Sequence, residues 1–346
     1  MVFIAKPGLG IRISNAGEYY VTTSLYHYRA FGLTVASEYE LPELEASAPL
    51  ERPDVRIILG QTPSKLEGAT VCRPHLQIAP QSLLLKIRVA GDFWVRDGQE
   101  IVVNPLPDVP AENVRLFLLG SAFGALLHQR GILPIHGSAL VYQGRAFVLT
   151  GASGAGKSTL AAALVRKGCK LLTDDVAAVT FDRAGTPWVQ PAYPQQKLWR
   201  DSAAAMELAT GRLIRVMADM EKFAVLAAES YHGEPAALTA IFHLIKPVGE
   251  ESGMLSLEPV RGVDKLPLIL HNVYRPRFVK GLGIQGEHLQ RCFKLAEKVK
   301  TARVYRTRDL GELEELTERV MGTVLLTNNF QSGVLNPEVV ETPRHD

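Results

Sequence analysis

Residues 151–158 read GASGAGKS, and no other stretch constrains the chain as tightly. A main chain that curls until successive N–H groups converge on an anion needs backbone angles that glycine tolerates, and Gly151, Gly154 and Gly156 supply them around Ala152, Ser153 and Ala155. The octet satisfies G-x-x-x-x-G-K-[ST], in which Lys157 reaches the outer phosphates of a nucleotide and Ser158 offers its hydroxyl to magnesium. The flanks suit it. RAFVLT (145–150) is a short apolar run of the kind found in buried strands. STLAAALVRK (158–167), beginning Ser158-Thr159, is rich in helix formers and is followed by Gly168, a stop signal. The alternative is a glycine-rich turn that binds nothing.

The rest of the composition bounds the reading. With 346 residues, 47% of them hydrophobic, the chain can bury two cores. A net charge of +2 produces no field that recruits nucleic acid. Cys72, Cys169 and Cys292 are far apart, which argues against a disulfide framework or a zinc site. No basic, apolar leader opens the sequence and no segment reaches spanning length, so the expectation is a cytoplasmic protein without a membrane contact.

Residues 1–110 read as a β-rich domain. Short alternating runs at 19–23, 55–59, 83–89 and 101–103 are separated by proline, glycine and serine clusters, which predicts an antiparallel sheet or small sandwich. Residues 111–327 read as the domain that carries the glycine loop. Within it, AENVRLFLLGSAFGALLHQ (111–129) is apolar around much of its circumference and predicts a buried helix. Leu133–Tyr142 is expected as one strand, paired through Gln143-Gly144 with the strand that enters the loop. Residues 170–173 and 176–181 are β-like, 254–258 is a further strand candidate, and 266–274 is a buried element of undecided type. Residues 288–299 and 310–326 are expected as helices flanking a β-like run at 302–305. Residues 328–346, polar and with two prolines, are expected as a mobile tail.

Asp174-Asp175 follows the loop's helix at the end of an apolar run. There one carboxylate can serve a metal and the other can accept a proton from an attacking hydroxyl. A bound cation would offset the repulsion of the pair, whereas without one they are simply an exposed turn. His136, between Ile135 and Gly137, reads on its own as a core histidine rather than a catalytic one.

Taken together, residues 133–175 resemble the catalytic core of bacterial HPr kinase/phosphorylase. That family carries a His-Gly before the loop, the octet itself, and an Asp-Asp pair after the following helix. Here His136 precedes Lys157 by 21 residues and Asp174 follows it by 17, spacing similar to the family's. The resemblance implies an α/β fold, with a P-loop core of the PEP-carboxykinase-like type in which a mixed sheet is flanked by helices. It also implies that Asp174 is the base toward a serine hydroxyl, Asp175 its neighbour near the metal, and His136 the histidine beside the reacting phosphate. The family's Glu-Ile-Arg-Gly-Leu-Gly signature is missing; PAYPQQKLWRD (191–201) stands in that part of the chain, which puts the reverse, phosphorylase reaction in doubt.

The segments YRAFGLTVASEYELPEL (28–44) and KLWRD (197–201), with Glu221-Lys222, are similar to HPr-kinase-like proteins encoded beside ribosomal-peptide biosynthesis genes, the lasso-peptide kinases among them. The implied activity is transfer of the γ-phosphoryl group of ATP, with magnesium, to a serine of a peptide or protein, such as the C-terminal serine of a precursor. Lys197, Lys222 and Arg275 lie in the segments that resemble this subgroup and are candidates for phosphate or acceptor contacts; each reads equally well as a surface charge. Tyr193 and Trp199 read as core aromatics in preference to adenine platforms. Two other functions fit the same motifs: a small-metabolite kinase, and a nucleotide-responsive binding protein without turnover. The β-rich half is expected to present the acceptor. The better-known relatives are hexamers, which makes a homo-oligomer an expectation by resemblance alone.

Overall fold

The computed structural model describes residues 9–13, 19–23, 25–199, 214–215, 222–246, 255–306 and 310–326. It is a mixed α/β protein with two large sheets. Strands β1 (Leu9–Ile13) and β2 (Tyr19–Thr23) form an antiparallel pair.

The first large sheet contains β3 (Tyr26–Ala30), β4 (Leu33–Ser37), β5 (Glu45–Ala46), β6 (Val55–Leu59), β7 (Val71–Arg73), β8 (Leu76–Ala79), β9 (Ser82–Ile87), β10 (Gly91–Arg96) and β11 (Glu100–Pro105). Their spatial order is β5-β3-β4-β6-β11-β10-β9-β8-β7. Strand β10 shows why the segment folds this way: Phe93 and Val95 are buried while Asp92, Trp94 and Arg96 lie half-exposed, the period of a one-sided strand. Asp97 and Gly98, both with positive φ, close the tight turn into β11. The sheet is mixed rather than purely antiparallel, because β6 runs parallel to both β4 and β11. Alternation announces a strand and which face it buries, but not the direction of its partner.

The predicted helix over 111–129 is present in three parts: α1 (Ala111–Phe117), a π-helical turn (Leu118–Ala122) and α2 (Phe123–Gln129). Its apolar face, including Val114, Leu118, Phe123 and Leu126, shares one core with Phe31, Phe93, Val95 and Val103 of the first sheet. Gly120 and Gly124, one turn apart, leave room for the ring of Tyr274; a Cβ on Gly124 would stand 2.7 Å from that ring.

The second large sheet is built from β12 (Leu133–His136), β13 (Ser138–Tyr142), β14 (Arg145–Gly151), β15 (Lys170–Thr173), β16 (Val176–Phe181) and β17 (Pro187–Gln190). A separate three-stranded sheet follows, of β18 (Gln195–Trp199), β19 (Ile214–Arg215) and β20 (Lys222–Leu226). The second sheet is then completed by β21 (Ala236–Leu244), β22 (Ser256–Val260) and β23 (Lys300–Tyr305). The main path runs β12-β16-β17-β21-β14-β13-β15, with β23 parallel to β21.

The single strand expected over 133–142 is instead two. Gly137 passes so close to the carbonyl of Leu149 that any Cβ would collide with it. At that point the chain leaves β16, the partner of β12, and joins β14 and β15 as β13. The hairpin turn at Gln143-Gly144 is present, both residues having positive φ.

Five helices complete the described fold: α3 (Lys157–Arg166), α4 (Lys265–His271), α5 (Arg277–Gly281), α6 (Gln285–Lys298) and α7 (Leu313–Leu325). Strand β14 is buried on both faces, so its successive side chains feed two cores. Ala146 and Val148 meet Ile269, Cys292 and Leu295 of α4 and α6 on one side. Phe147 and Leu149 meet Leu160 and Leu164 of α3 and Leu316 and Val320 of α7 on the other. The undecided element at 266–274 is chiefly α4, and the strand expected at 254–258 is β22, shifted by two residues. Met254, the expected tail at 328–346, Glu221 and the Arg200-Asp201 pair lie outside the described residues.

Candidate functional site

The glycine loop leaves β14 at the C-terminal edge of the central strands and enters α3, the strand–loop–helix order that the octet requires. Gly151 (φ 134°) lies against the carbonyl of Leu244, the last residue of the parallel neighbour β21, where no Cβ would fit. Gly154 (φ 78°) and Gly156 (φ 94°) take left-handed conformations that side chains resist. Ala152, Ser153 and Gly154 are exposed, Ala155 is buried, and the Ala155 N–H donates to the Ala152 carbonyl at 3.1 Å. The Lys157 ammonium folds back onto the loop, donating to the carbonyls of Gly151 (2.8 Å) and Ala152 (3.2 Å). Ser158 is half-buried on the first turn of α3, and Thr159 behind it is buried.

The two aspartates, adjacent in sequence, occupy different environments. Asp174 is buried; its Oδ1 accepts the Ser138 hydroxyl and its Oδ2 accepts the backbone N–H of Lys197 at 2.8 Å. Asp175 is half-buried and sits at φ 89°, an unusual angle for a residue with a side chain. Its carbonyl accepts the Gly137 N–H (3.1 Å) and faces Nδ1 of His136 (3.1 Å), so the β12–β13 crossing holds the turn in place. Its carboxylate lies 3.4 Å from that same Nδ1 and 3.7 Å from the Lys197 ammonium.

His136 is fixed through its backbone N–H, which donates to the Asn272 carbonyl at 2.7 Å. Burial pushes the imidazole below the ordinary histidine pKa; Asp175 opposes this and Lys157 adds to it. A neutral ring with two acceptor oxygens around Nδ1 carries its proton there and leaves Nε2 as an acceptor. Lys197 is 7% exposed. Burial works against its charge, but Tyr193, Asp175 and Asp174 outweigh that and hold the ammonium above the usual lysine pKa. It is therefore a permanent buried cation beside a carboxylate.

Between the glycine loop and this cluster lies a cleft of about 420 Å³, bordered by Gly151–Ser153 on one side and by His136, Asp175, Tyr274 and Arg275 on the other. Arg275 (φ 51°) donates to the Ser121 hydroxyl at 3.1 Å and sits over the Tyr274 ring at 5.5 Å. Three of the sequence-derived candidates outside the core motif therefore differ in outcome. Lys197 touches Asp175, Arg275 borders the cleft, and Lys222 is placed only as a strand position opposite Trp199, with both side chains outside the described residues. Tyr193 is buried and meets Phe31 edge-on, its ring centroid 6.3 Å away.

Sequence reasoning missed Arg306. It follows β23 directly, and its Nε donates to the Ala155 carbonyl at 3.0 Å while its guanidinium packs over Gly156. Among the described residues it has no acidic partner, and burial lowers its pKa. Lys246 is placed comparably, after β21 and beside Gly154. Both follow strands whose C-terminal ends share an edge with the loop, the rim where open α/β sheets bind ligands. The run at 302–305 was legible as a strand, but its parallel neighbour was not. Asn272 and His243, linked at 3.0 Å, were likewise unmarked by any motif.

No family model matches the chain, and no curated protein matches it. Among solved structures it is similar to the HPr(Ser) kinase/phosphatase from Coxiella burnetii, at 13% identity over 55% of this chain and 97% of that one, with a TM-score of 0.29. An overlap that loose carries no argument, so the chemistry rests on the residues described above.

Proposed function

We propose that the chain is an ATP- and magnesium-dependent kinase that transfers the γ-phosphoryl group to a serine hydroxyl of a peptide or protein. The observation that carries this reading is the Asp175 carboxylate, held by His136 and Lys197 across a cleft from the glycine loop. A loop that only bound nucleotide would need no oriented acid on the opposite wall.

The loop amides and Lys157 would grip the β- and γ-phosphates, Lys157 exchanging its loop carbonyls for phosphate oxygens. The serine oxygen attacks the γ-phosphorus as the bond to the β,γ-bridging oxygen breaks, ADP leaves, and the hydroxyl proton passes to a carboxylate. Asp174, expected in that role by resemblance, has both oxygens occupied in the interior, so we assign the proton to Asp175 and a positioning role to Asp174. Lys197 keeps Asp175 oriented and contributes fixed positive charge near the moving phosphoryl group.

A hydroxyl and a carboxylate are the oxygen donors that magnesium prefers. Ser158, with Asp175 completing the shell through water, would hold the ion, which supplies charge neutralisation for the phosphates. The YRAFGLTVASEYELPEL and KLWRD segments support a precursor peptide ending in serine as the acceptor.

The test is transfer of labelled γ-phosphate from ATP to synthetic peptides with a terminal or an internal serine. Label should move to serine and depend on Lys157. A Lys157→Ala chain that transfers at the wild-type rate would overturn the reading.

A further inference from the structure

A single ring nitrogen connects the two walls of the cleft. Strands β14, β21 and β23 run parallel, and their register sets Thr150, His243 and Arg303 side by side. Val148 and Ile241, two residues earlier on β14 and β21, pack with Ile269 of α4, so Thr150 and His243 lie on that same face of the sheet. There His243 Nδ1 stands 3.2 Å from the Thr150 hydroxyl and 3.0 Å from the side-chain nitrogen of Asn272, the residue that follows α4.

The Asn272 amide fixes where the imidazole proton sits. Its Nδ2 also donates to the Leu268 carbonyl at 2.7 Å, which an amide oxygen could not do, so a donor faces the ring. His243 Nδ1 must then accept, and the neutral ring carries its hydrogen on Nε2. The two donors do not depend on it equally. The Thr150 hydroxyl also reaches the Phe242 carbonyl at 3.3 Å, whereas Asn272 is 5% exposed and needs both of its acceptors.

Both partners lead into the cleft. Gly151, the residue after Thr150, borders it on the loop side, and Asn272 borders it opposite, where its carbonyl holds the His136 N–H at 2.7 Å. A proton on Nδ1 would turn that acceptor into a donor; the Thr150 hydroxyl can reverse its bond, but the Asn272 nitrogen cannot. The titratable groups that act on the half-buried ring are His271 of α4, 6.1 Å away between centroids, Arg303 of β23 and Lys157 of α3. Burial first, and then these groups, hold it below the usual histidine pKa of about 6.5, so it is neutral at pH 7.

From this geometry we infer that neutral His243 is a positioning residue for phosphoryl transfer: its Nδ1 ties the loop wall to the wall that carries His136, and a proton on that nitrogen unties them. His243 touches neither nucleotide nor acceptor and acts through Asn272. The inference rests on the kinase reading above and adds an acid-sensitive support to the same site.

The test compares full-length wild type, His243→Leu and His243→Asn in the serine-peptide transfer assay. Leucine removes the acceptor and should lower kcat about ten- to a hundredfold at pH 8, with KM for ATP within about twofold because the loop amides and Lys157 are untouched. Asparagine can place an oxygen where Nδ1 stood, accepts without titrating, and should recover at least about a third of the wild-type kcat. The ratio of the His243→Asn rate to the wild-type rate cancels the titration of the groups that the two share. It should climb severalfold on acidification, with its midpoint where nitrogen NMR shows the His243 ring taking up a proton. A ratio that stays level through that titration, a leucine variant with wild-type kcat, or an asparagine variant as slow as leucine would overturn the inference and leave the kinase reading standing. A wild type that labels no peptide would end the kinase reading instead, and the ring signals then decide the link alone. They should show the proton on Nε2 and a shift of the His136 resonances in His243→Leu; a proton on Nδ1, or His136 signals that do not move, would overturn it.

Discussion

The glycine loop and the Asp175 cluster face each other across one cleft but are made in opposite ways. The loop is a continuous octet whose shape follows from its own glycines, held at the rim by β14 and α3. The cluster draws His136, Asp174-Asp175 and Lys197 from β12, the β15–β16 turn and β18, and it exists only when those elements are packed. A local motif can tolerate change elsewhere in the fold, whereas an assembled one is as fragile as the weakest of its supports.

Substitutions that separate these two kinds of construction come first. Asp175→Asn should lower kcat by roughly two to four orders of magnitude, the range of a lost general base, and should also lower Tm, because the buried Lys197 ammonium loses its ion-pair partner. Asp174→Asn should act chiefly on stability. Its amide can still accept from Ser138 but turns a donor toward the Lys197 N–H, at a cost of about 1–3 kcal/mol in stability. Paired melting curves and initial rates decide between them; a cold, stable Asp174→Asn chain beside an active Asp175→Asn chain would reverse the two roles.

Lys157→Ala should reduce kcat by about two to three orders of magnitude, as when one preorganised donor is removed, and should leave folding unchanged. A comparable loss of stability would show that the loop is not locally self-sufficient.

The next effect lies in the core, away from the cleft. His128, whose Nε2 lies 2.9 Å from the Tyr274 carbonyl, is pushed down to about 4 by burial. Its folded pKa lies below the unfolded value of about 6.5, so the unfolded chain binds the extra proton between those limits. Stability should therefore be undiminished by this group above pH 6.5 and fall by about 3 kcal/mol as pH drops toward 4. Chemical denaturation of the wild type and of His128→Gln across that range checks it: the variant should have the shallower slope.

The smallest effect concerns Arg306. Arg306→Ala should raise KM for ATP by about tenfold or less, since one charge-assisted hydrogen bond to the Ala155 carbonyl is lost and the loop is otherwise intact. Isothermal titration with ATP and magnesium gives the same comparison without turnover.

These contrasts mirror what could be read from the sequence. The octet, the Asp-Asp pair and the strand–helix alternation around them are short-range patterns, and each was legible because its cause lies within a few residues. The break at Gly137 was not, because its cause is the carbonyl of Leu149, which meets it only across the β13–β14 hairpin. Arg306 was invisible for the same reason, as its role comes from β23 lying beside β21. The unequal environments of Asp174 and Asp175 depend on Ser138 and on the backbone of Lys197, neither of which carries a motif. Direction within the first sheet was likewise hidden, since β6 looks the same in sequence whether its neighbours run with it or against it.

The two-glycine notch in the helix over 111–129 reaches further than its size suggests. Tyr274 lies in it, and the next residue, Arg275, forms part of the cleft wall. The helix's other face is fused to the first sheet. A chimera that exchanged everything before Gln129 for a foreign β-rich module would have to recreate that hollow for the tyrosine, or the far wall of the cleft would lose its hinge post.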